Sequence, residues 1–298
     1  MKQRSKKGNR RIGARLLPWM FVLPSFSGLL LFKYYPLMRS LFMGLFDWNI
    51  LEPPGVFVGL RNYARMFFSS FFLDSLWNTV VIWLMSMLFA FWVPVVQAVF
   101  LNEIRGKSQG VFKVLYLVPM VVPGVSSILL WKWIYNPEYG LANQLLGALG
   151  LPGLMWLNDI STAKLALTLP GLIGGSTAVI IYLATIQGIP QEMYEAASLD
   201  GANFLQRALR LTLPNMKGII EIQLVLSLST ALQLFDGPYM MTGGGPAGST
   251  TTLAIRIYNL AFSDNDFGMA SAMAAFIFTV TILLVGAQLM LRRRHDEA

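Results

Sequence analysis

Six long stretches without an ionisable side chain constrain this sequence more than any other feature. The two longest lie between Asp74 and Glu103 and between Lys164 and Glu192. A helix needs about 20 mostly apolar residues, at 1.5 Å each, to cross the roughly 30 Å hydrocarbon core of a bilayer. With 55% hydrophobic and 13% charged residues, the chain has too few ionised groups to cover a soluble surface. The sequence therefore predicts an integral membrane protein.

The six stretches predict an all-α fold with six transmembrane helices. The fifth has 14 residues between Glu221 and Asp236, about 21 Å of helix, so we extend it back toward Gly218 and past Asp236. The first resembles a signal peptide, but its apolar run continues through Phe32 without a cleavage site, which indicates a retained anchor. The expected helices cover about 15–37, 74–102, 111–134, 164–187, 218–237 and 267–291.

Positive charge is concentrated toward both ends of the chain, whose net charge is +8. If both termini are cytoplasmic, 16 of the 23 lysines and arginines lie on inner segments, as the positive-inside rule requires. We expect a basic cytoplasmic tail over 1–14, a transmembrane domain over 15–292 and a cytoplasmic tail over 293–298. Basic and aromatic residues do not interleave on one face, which argues against a nucleic-acid partner.

Few residues could carry catalysis or bind a metal. The chain has no cysteine, and its single histidine is His295, near the end. Disulfides, thiol chemistry and cysteine metal sites are excluded, and most hydrolytic and zinc chemistry is disfavoured. We therefore expect no catalytic residue, no metal site and no cofactor of its own.

Three short motifs resemble nucleotide or hydrolase sites but lack a necessary part. Residues 106–108 end like a phosphate-binding loop, yet Leu101 stands where its first glycine belongs. The glycine pattern over 243–248 contains Pro246 and has no βαβ unit around it. The pattern over 174–178 resembles a nucleophile elbow, but no histidine is available to activate Ser176.

Small and polar residues mark the fourth and fifth stretches. Gly171 and Gly175, four apart, suit either close helix packing or the lining of a pathway. In the fifth stretch polar residues recur on one helical stripe. This stripe must face protein or water, because an amide side chain that faces lipid without a hydrogen-bond partner costs several kcal/mol. Neutral donors and acceptors of this kind suit either interhelical hydrogen bonds or a solute with many hydroxyls. The stripe comprises Gln223, Ser227, Thr230 and Gln233.

The inner connection over 188–217 has helical composition but is too polar to insert into a membrane. Pro190 suits a first helical turn, Gly201 permits a turn, and Pro214 is expected to end a second helical stretch. This connection reads Glu-Ala-Ala from Glu195, then three residues and Gly201, then nine residues and Leu-Thr-Leu-Pro ending at Pro214.

This pattern resembles the EAA loop of permease subunits of binding-protein-dependent ABC importers, which have a MetI-like fold. Leu211 occupies the position where isoleucine is usual in that loop. The segments over 235–258 and 267–272 make the chain similar to the carbohydrate-uptake subgroup, with the maltose and glycerol-phosphate permeases. The resemblance implies import of an oligosaccharide or related carbohydrate through a bacterial inner membrane. It also implies a second permease subunit, two ATP-binding subunits that hold the ATP, an external solute-binding protein and surrounding membrane lipid.

The resemblance also implies roles for particular residues. The EAA segment of the family is a coupling helix that sits in a groove of the ATPase. The ATPase-coupling residues implied here are Glu195, Ala196, Ala197, Asp200, Gly201, Leu213 and Pro214. The expected substrate pathway comprises Ile173, Gly174, Thr177, Ser227, Thr230 and Gln233. A family asparagine falls on Ala231, so some substrate contacts must differ.

Two other kinds of transport remain as alternatives. Import of glycerol phosphate requires a cationic group facing the pathway, and the membrane segments supply Lys33 near an edge; a polyol is a further substrate of the same class. An ion-coupled secondary transporter requires intramembrane carboxylates and internal repeats, which the sequence does not show.

Overall fold

The computed structural model describes residues 19–49, 55–104 and 107–296. The predicted tail over 1–14 and Arg105 lie outside them. In this part of the chain, three continuous helices are long and apolar enough to cross a membrane, and three bent pairs of helices also qualify if each pair is one span. The continuous helices are α1 (Trp19–Met43), α3 (Ser70–Glu103) and α15 (Phe267–Asp296).

The remaining helices form the bent pairs and the connections. The pairs are α4 (Lys107–Val121) with α5 (Gly124–Ile134), α7 (Ile160–Thr168) and α8 (Gly171–Gly174) with α9 (Ser176–Gln187), and α12 (Lys217–Leu232) with α13 (Asp236–Thr242). The other helices are α2 (Arg61–Phe67), α6 (Leu141–Ala148), α10 (Gln191–Leu199), α11 (Phe204–Arg207) and α14 (Leu253–Phe262), with a 3-10 turn at Trp156–Asn158.

All three continuous helices extend beyond their predicted limits, and α15 continues to Asp296 rather than ending at 291. Helix α3 begins at Ser70, four residues before the predicted start, because the carboxylate of Asp74 is exposed and does not interrupt the helix. Helix α1 continues to Met43 past Pro36. A π turn at Leu30–Tyr34 precedes this proline, and another at Met87–Trp92 precedes Pro94 in α3. These turns accommodate residues that cannot donate a backbone hydrogen bond.

The predicted helices over 111–134, 164–187 and 218–237 are not continuous. The first bends by 94° between α4 and α5, where Pro123 forms the N-cap of α5. Proline restricts the preceding residue to extended backbone, which explains the break. The second bends by 45° and the third by 44°. The third break coincides with Asp236, the charge that makes this stretch short.

The chain divides into two compact units. The first comprises residues 1–66 and 260–276 and contains a small exception to the all-α prediction. Strands β1 (Phe46–Asp47) and β2 (Val56–Phe57) pair antiparallel. The buried Asn62 amide donates to the carbonyl oxygens of Gly44 at 3.1 Å and of Phe46 at 2.8 Å. This side chain fixes the backbone that enters the hairpin.

The second unit comprises residues 67–259 and 277–298. One of its core clusters packs the end of α3 against α9, with Val95, Val99 and Leu101 against Val179 and Leu183. Another cluster surrounds Tyr135, Trp156, Leu157, Ala166 and Met241. The first cluster lies beside the inner connection, because Ala208 and Met216 of that connection are buried in it.

The inner connection folds as helices, with one departure from the sequence prediction. Helix α10 begins directly after Pro190, and Gly201 has the positive φ of +77° that permits the following turn. The helical path from α11 continues through a π turn at Ala208–Thr212 and the turn Leu213–Asn215. Pro214 therefore does not end the helix, because it lies in the first turn after the π turn, where its missing N–H leaves no unpaired carbonyl.

Candidate functional site

A cavity of about 280 Å³ lies between α3 and α12 in the second unit. Its α3 wall combines aromatic and aliphatic side chains with one hydroxyl. Its α12 wall contributes hydroxyl and small apolar groups. The lining residues are Ile82, Trp83, Ser86, Met87, Ala90, Phe91, Ser227, Thr230, Ala231 and Leu234.

One hydrogen bond joins the two walls. The indole Nε1 of Trp83 donates to the hydroxyl oxygen of Ser227 at 3.2 Å. That hydroxyl donates in turn to the carbonyl oxygen of Leu224 at 2.7 Å, as serine commonly does within a helix. The bond holds the tryptophan ring in the cavity lining, while the hydroxyl retains capacity to accept a second hydrogen bond.

The structure brings together two of the six predicted pathway residues. Ser227 and Thr230 line the cavity, one helical turn apart on α12. Gln233 does not line it, because its amide donates back to the Ser229 carbonyl at 3.1 Å where the helix ends. The polar stripe is therefore shorter than its sequence spacing suggests.

The three predicted residues around α8 and α9 do not line this cavity. Ile173 is 66% exposed, and Thr177 is also exposed. Gly174 ends α8 just before the bend. These positions were implied by the family resemblance, and they lie at the break of the bent pair formed by α7 and α8 with α9, so the structure does not group them with Ser227.

Gly171 and Gly175 have a packing role. A Cβ added at Gly171 would lie 2.7 Å from the Cβ of Ala90, and one at Gly175 would collide with Pro94 Cγ. Both contacts are with α3. Of the two interpretations of these glycines, the structure supports close helix packing.

Sequence reasoning missed the α3 wall of the cavity. It treated the second stretch as a span and assigned no role to Trp83, Ser86 or Phe91. The available sequence signal was a tryptophan and a serine three residues apart in an otherwise apolar helix, which puts both on one face.

The second candidate site is helix α10, which carries the EAA motif. Glu195 and Ala196 are exposed, while Ala197 is half-buried. Leu199 is 90% exposed, and Met193 is 40% exposed. These two exposed apolar side chains lie on a helix that is too polar to enter the membrane, and they are compatible with contact to another protein.

The other predicted coupling residues have different positions. Asp200 and Gly201 end α10, where the amide of Asp200 donates to the Ala196 carbonyl at 3.0 Å. Leu213 is half-buried against the α3 and α9 core, so it anchors the connection. Pro214 is exposed.

The glycine-rich loop over 243–252 is held by one side chain of α3. Gly243, Gly244 and Gly248 have positive φ values of +63°, +85° and +75°, which other residues rarely adopt. The buried amide of Asn78 donates to the carbonyl oxygens of Gly248 at 2.9 Å and of Thr251 at 3.2 Å. The loop therefore has a defined shape.

Comparison with known proteins identifies the family. Residues 9–296 match the model of the binding-protein-dependent transport system inner membrane component. The chain belongs to this family. It is thus a permease component of an ABC transporter and an inner-membrane protein, and the ion-coupled alternative no longer applies.

The permease has similar relatives over nearly its full length. It is 34% identical over 287 residues to the sulfoquinovosyl glycerol transport system permease of Agrobacterium fabrum, covering 96% of this chain and 93% of that protein. It is 33% identical over 267 residues to the trehalose/maltose transport system permease of Thermococcus litoralis, covering 89% and 90%.

A solved structure shares the fold of the permease. A chain of a bacterial ABC transporter involved in the import of the acidic polysaccharide alginate matches with a TM-score of 0.82 and 25% identity, over 97% of this chain and 99% of that one. A chain of the alginate transporter in complex with its alginate pentasaccharide-bound periplasmic protein matches with the same TM-score and identity, over 98% of both chains.

Proposed function

We propose that this permease carries an oligosaccharide or a related carbohydrate across the inner membrane, delivered by an external solute-binding protein. The observation that carries the proposal is the cavity lined together by the Trp83 ring and by Ser227 and Thr230, with Trp83 bonded to the Ser227 hydroxyl. An aromatic ring offers an apolar face to the C–H groups of a sugar, and neutral hydroxyls pair with its O–H groups. The named substrates of the relatives, trehalose, maltose and sulfoquinovosyl glycerol, support this class.

The absence of ionisable side chains from the described cavity lining argues against the alternative substrate, glycerol phosphate. None of the described residues that line the cavity has an ionisable side chain. A phosphate group entering such a site would lose its hydration without gaining a cationic partner, which is costly. The cavity therefore favours a neutral polyhydroxy solute over glycerol phosphate, and a polyol remains the second candidate.

We also propose that α10 is the helix through which ATPase subunits act on the permease. Its exposed Met193 and Leu199 offer apolar surface, and Glu195 offers one charge-assisted hydrogen bond. The partners in this proposal are a second, similar permease and two ATP-binding subunits. ATP binds to those subunits, so this chain holds no cofactor and catalyses no reaction. Both termini and α10 then lie on the cytoplasmic side, as the distribution of basic residues favours.

Uptake by the complete transporter in proteoliposomes tests the substrate class. The external binding protein delivers radiolabelled maltose, a trisaccharide, a polyol or glycerol phosphate, with ATP inside. We expect ATP-dependent uptake of a carbohydrate that unlabelled carbohydrate abolishes. Uptake of glycerol phosphate with no carbohydrate competition would overturn the proposal.

A further inference from the structure

Arg207 joins two segments that are far apart in the sequence. Its Nη2 donates to Glu103 Oε2 at 3.1 Å, and its Nη1 donates to Ser198 Oγ at 3.2 Å. Glu103 is the last residue of α3, and Ser198 lies in α10, one turn beyond Glu195. One side chain therefore links the proposed coupling helix to the end of a membrane helix.

The arrangement uses the shape of arginine. Two nitrogens of the planar guanidinium group point to different partners, whereas a lysine ammonium is a compact charge on a flexible stem. The Arg207 side chain is 22% exposed and that of Glu103 is 39% exposed, so solvent reaches the pair but does not surround it. The neighbouring Ala208 is buried in the α3 and α9 core, which holds the backbone of Arg207 in place.

Helix α10 is otherwise only partly packed against its neighbours. A groove of about 740 Å³ lies between it and the end of α3, with Asn102, Gln109 and Gln191 among its lining residues. On α10, Tyr194 makes a second polar contact, from its hydroxyl to Thr212 Oγ1 at 3.0 Å. The orientation of α10 therefore depends on a few polar contacts.

The partner of Arg207 lies on the helix that forms one wall of the cavity. Trp83 and Glu103 belong to α3, and 20 residues of helix extend about 30 Å. The end of α3 packs on α9 through the buried Val95 and Leu101, so it moves with the core of the second unit. The contact between Glu103 and Arg207 thus connects α10 to the helix that carries Trp83.

We propose that Arg207 is a positioning residue for energy coupling. It fixes α10 to the end of α3, so that a displacement of α10 by the ATPase displaces the helix that lines the cavity. This inference rests on the proposed function of α10. A residue that merely stabilised the connection would affect yield or melting temperature. A positioning residue for energy coupling determines how much solute moves for each ATP hydrolysed.

The test uses the complete transporter in proteoliposomes, with uptake and ATP hydrolysis measured together in the presence of loaded binding protein. Arg207→Ala is expected to lower uptake per ATP by about threefold to tenfold, the range for a charge-assisted hydrogen bond reduced by partial exposure. Arg207→Lys and Ser198→Ala are expected to lower it less. The single variants E103R and R207E are expected to lower uptake per ATP, and the double variant E103R/R207E is expected to recover most of that loss.

Arg210→Ala is the matched control. Arg210 is exposed in the same segment and makes no hydrogen bond or ion pair with other described residues, so its loss removes equal charge and should leave uptake per ATP unchanged. If Arg207→Ala does not accumulate in the membrane, Arg207→Lys and Ser198→Ala decide the question.

Two results would overturn the inference. One is an unchanged uptake per ATP in the Arg207 and Ser198 variants. The other is an uptake per ATP in the double variant E103R/R207E that is no higher than in either single variant. Crosslinking of α10 to the ATPase, measured in parallel, separates this failure from failure of the proposed function. If α10 crosslinks to the ATPase and uptake per ATP is unchanged, only the positioning role of Arg207 is rejected. If no crosslink forms, the coupling role of α10 is rejected.

Discussion

Trp83 and Ser227 are 144 residues apart in the sequence and form a hydrogen bond of 3.2 Å between α3 and α12. Both side chains line the same cavity. The bond fixes an aromatic ring beside a hydroxyl in a membrane protein, and this pairing is the basis for the proposed carbohydrate pathway.

Replacing Trp83 should weaken transport, and the contributions of its aromatic ring and of its hydrogen-bond donor can be separated with two variants. Trp83→Ala removes both the ring and the donor, and we expect the KM for carbohydrate uptake to rise about tenfold, equivalent to ~1.4 kcal/mol. Trp83→Phe keeps an apolar ring face but loses the hydrogen bond to Ser227, so its KM should lie between those of the natural protein and Trp83→Ala. Uptake kinetics in proteoliposomes measure this. Equal KM values for Trp83→Ala and the natural protein would contradict a role in the pathway.

Glu195 should affect coupling rather than assembly. Glu195→Ala removes the charge that we assign to the ATPase contact, so stimulation of ATP hydrolysis by loaded binding protein should fall about tenfold. Glu192→Ala, which removes an exposed carboxylate from the same helix, is the control and should keep the stimulation. A Glu195→Ala complex with full stimulation would show that the coupling contact lies elsewhere.

Leu199 should lie within reach of the ATPase. Because the chain has no native cysteine, Leu199→Cys carries a unique thiol to which a photoreactive maleimide can be attached. Irradiation of the assembled complex should crosslink this position to an ATP-binding subunit. Leu149→Cys is the matched control: Leu149 is 75% exposed, compared with 90% for Leu199, but we place it on the opposite side of the membrane. Crosslinking from Leu149 instead would reverse the proposed orientation.

Gly171 should resist enlargement. Gly171→Ala places a methyl group 2.7 Å from the Cβ of Ala90, and overpacking of this kind costs about 1 to 3 kcal/mol. The melting temperature of the purified protein in detergent should therefore fall. Gly286→Ala, in α15, meets no atom within 4 Å and should leave the melting temperature unchanged or raise it slightly. Equal melting temperatures for both variants would rule out close packing at Gly171.

The sequence alone determined that this chain is a membrane protein and where most of its helices lie. Transfer of apolar side chains out of water depends on their number and continuity, which are visible in the sequence, and the EAA motif is a local pattern of fixed spacing. The breaks at Pro123 and Asp236 also have a visible cause, although their angles of 94° and 44° do not.

The tertiary structure decided which polar residues share a site. Helical spacing predicted that Ser227 and Thr230 share one stripe, but Trp83, the partner of Ser227, lies on another helix. No local pattern specifies which faces of two helices meet. Ile173 and Thr177, which the family resemblance implied, lie at the break of another bent pair of helices and do not line the same cavity. The contact between Arg207 and Glu103 likewise depends on packing across 104 residues of sequence. Local propensity and hydropathy act along the chain, whereas a cavity forms where distant surfaces meet.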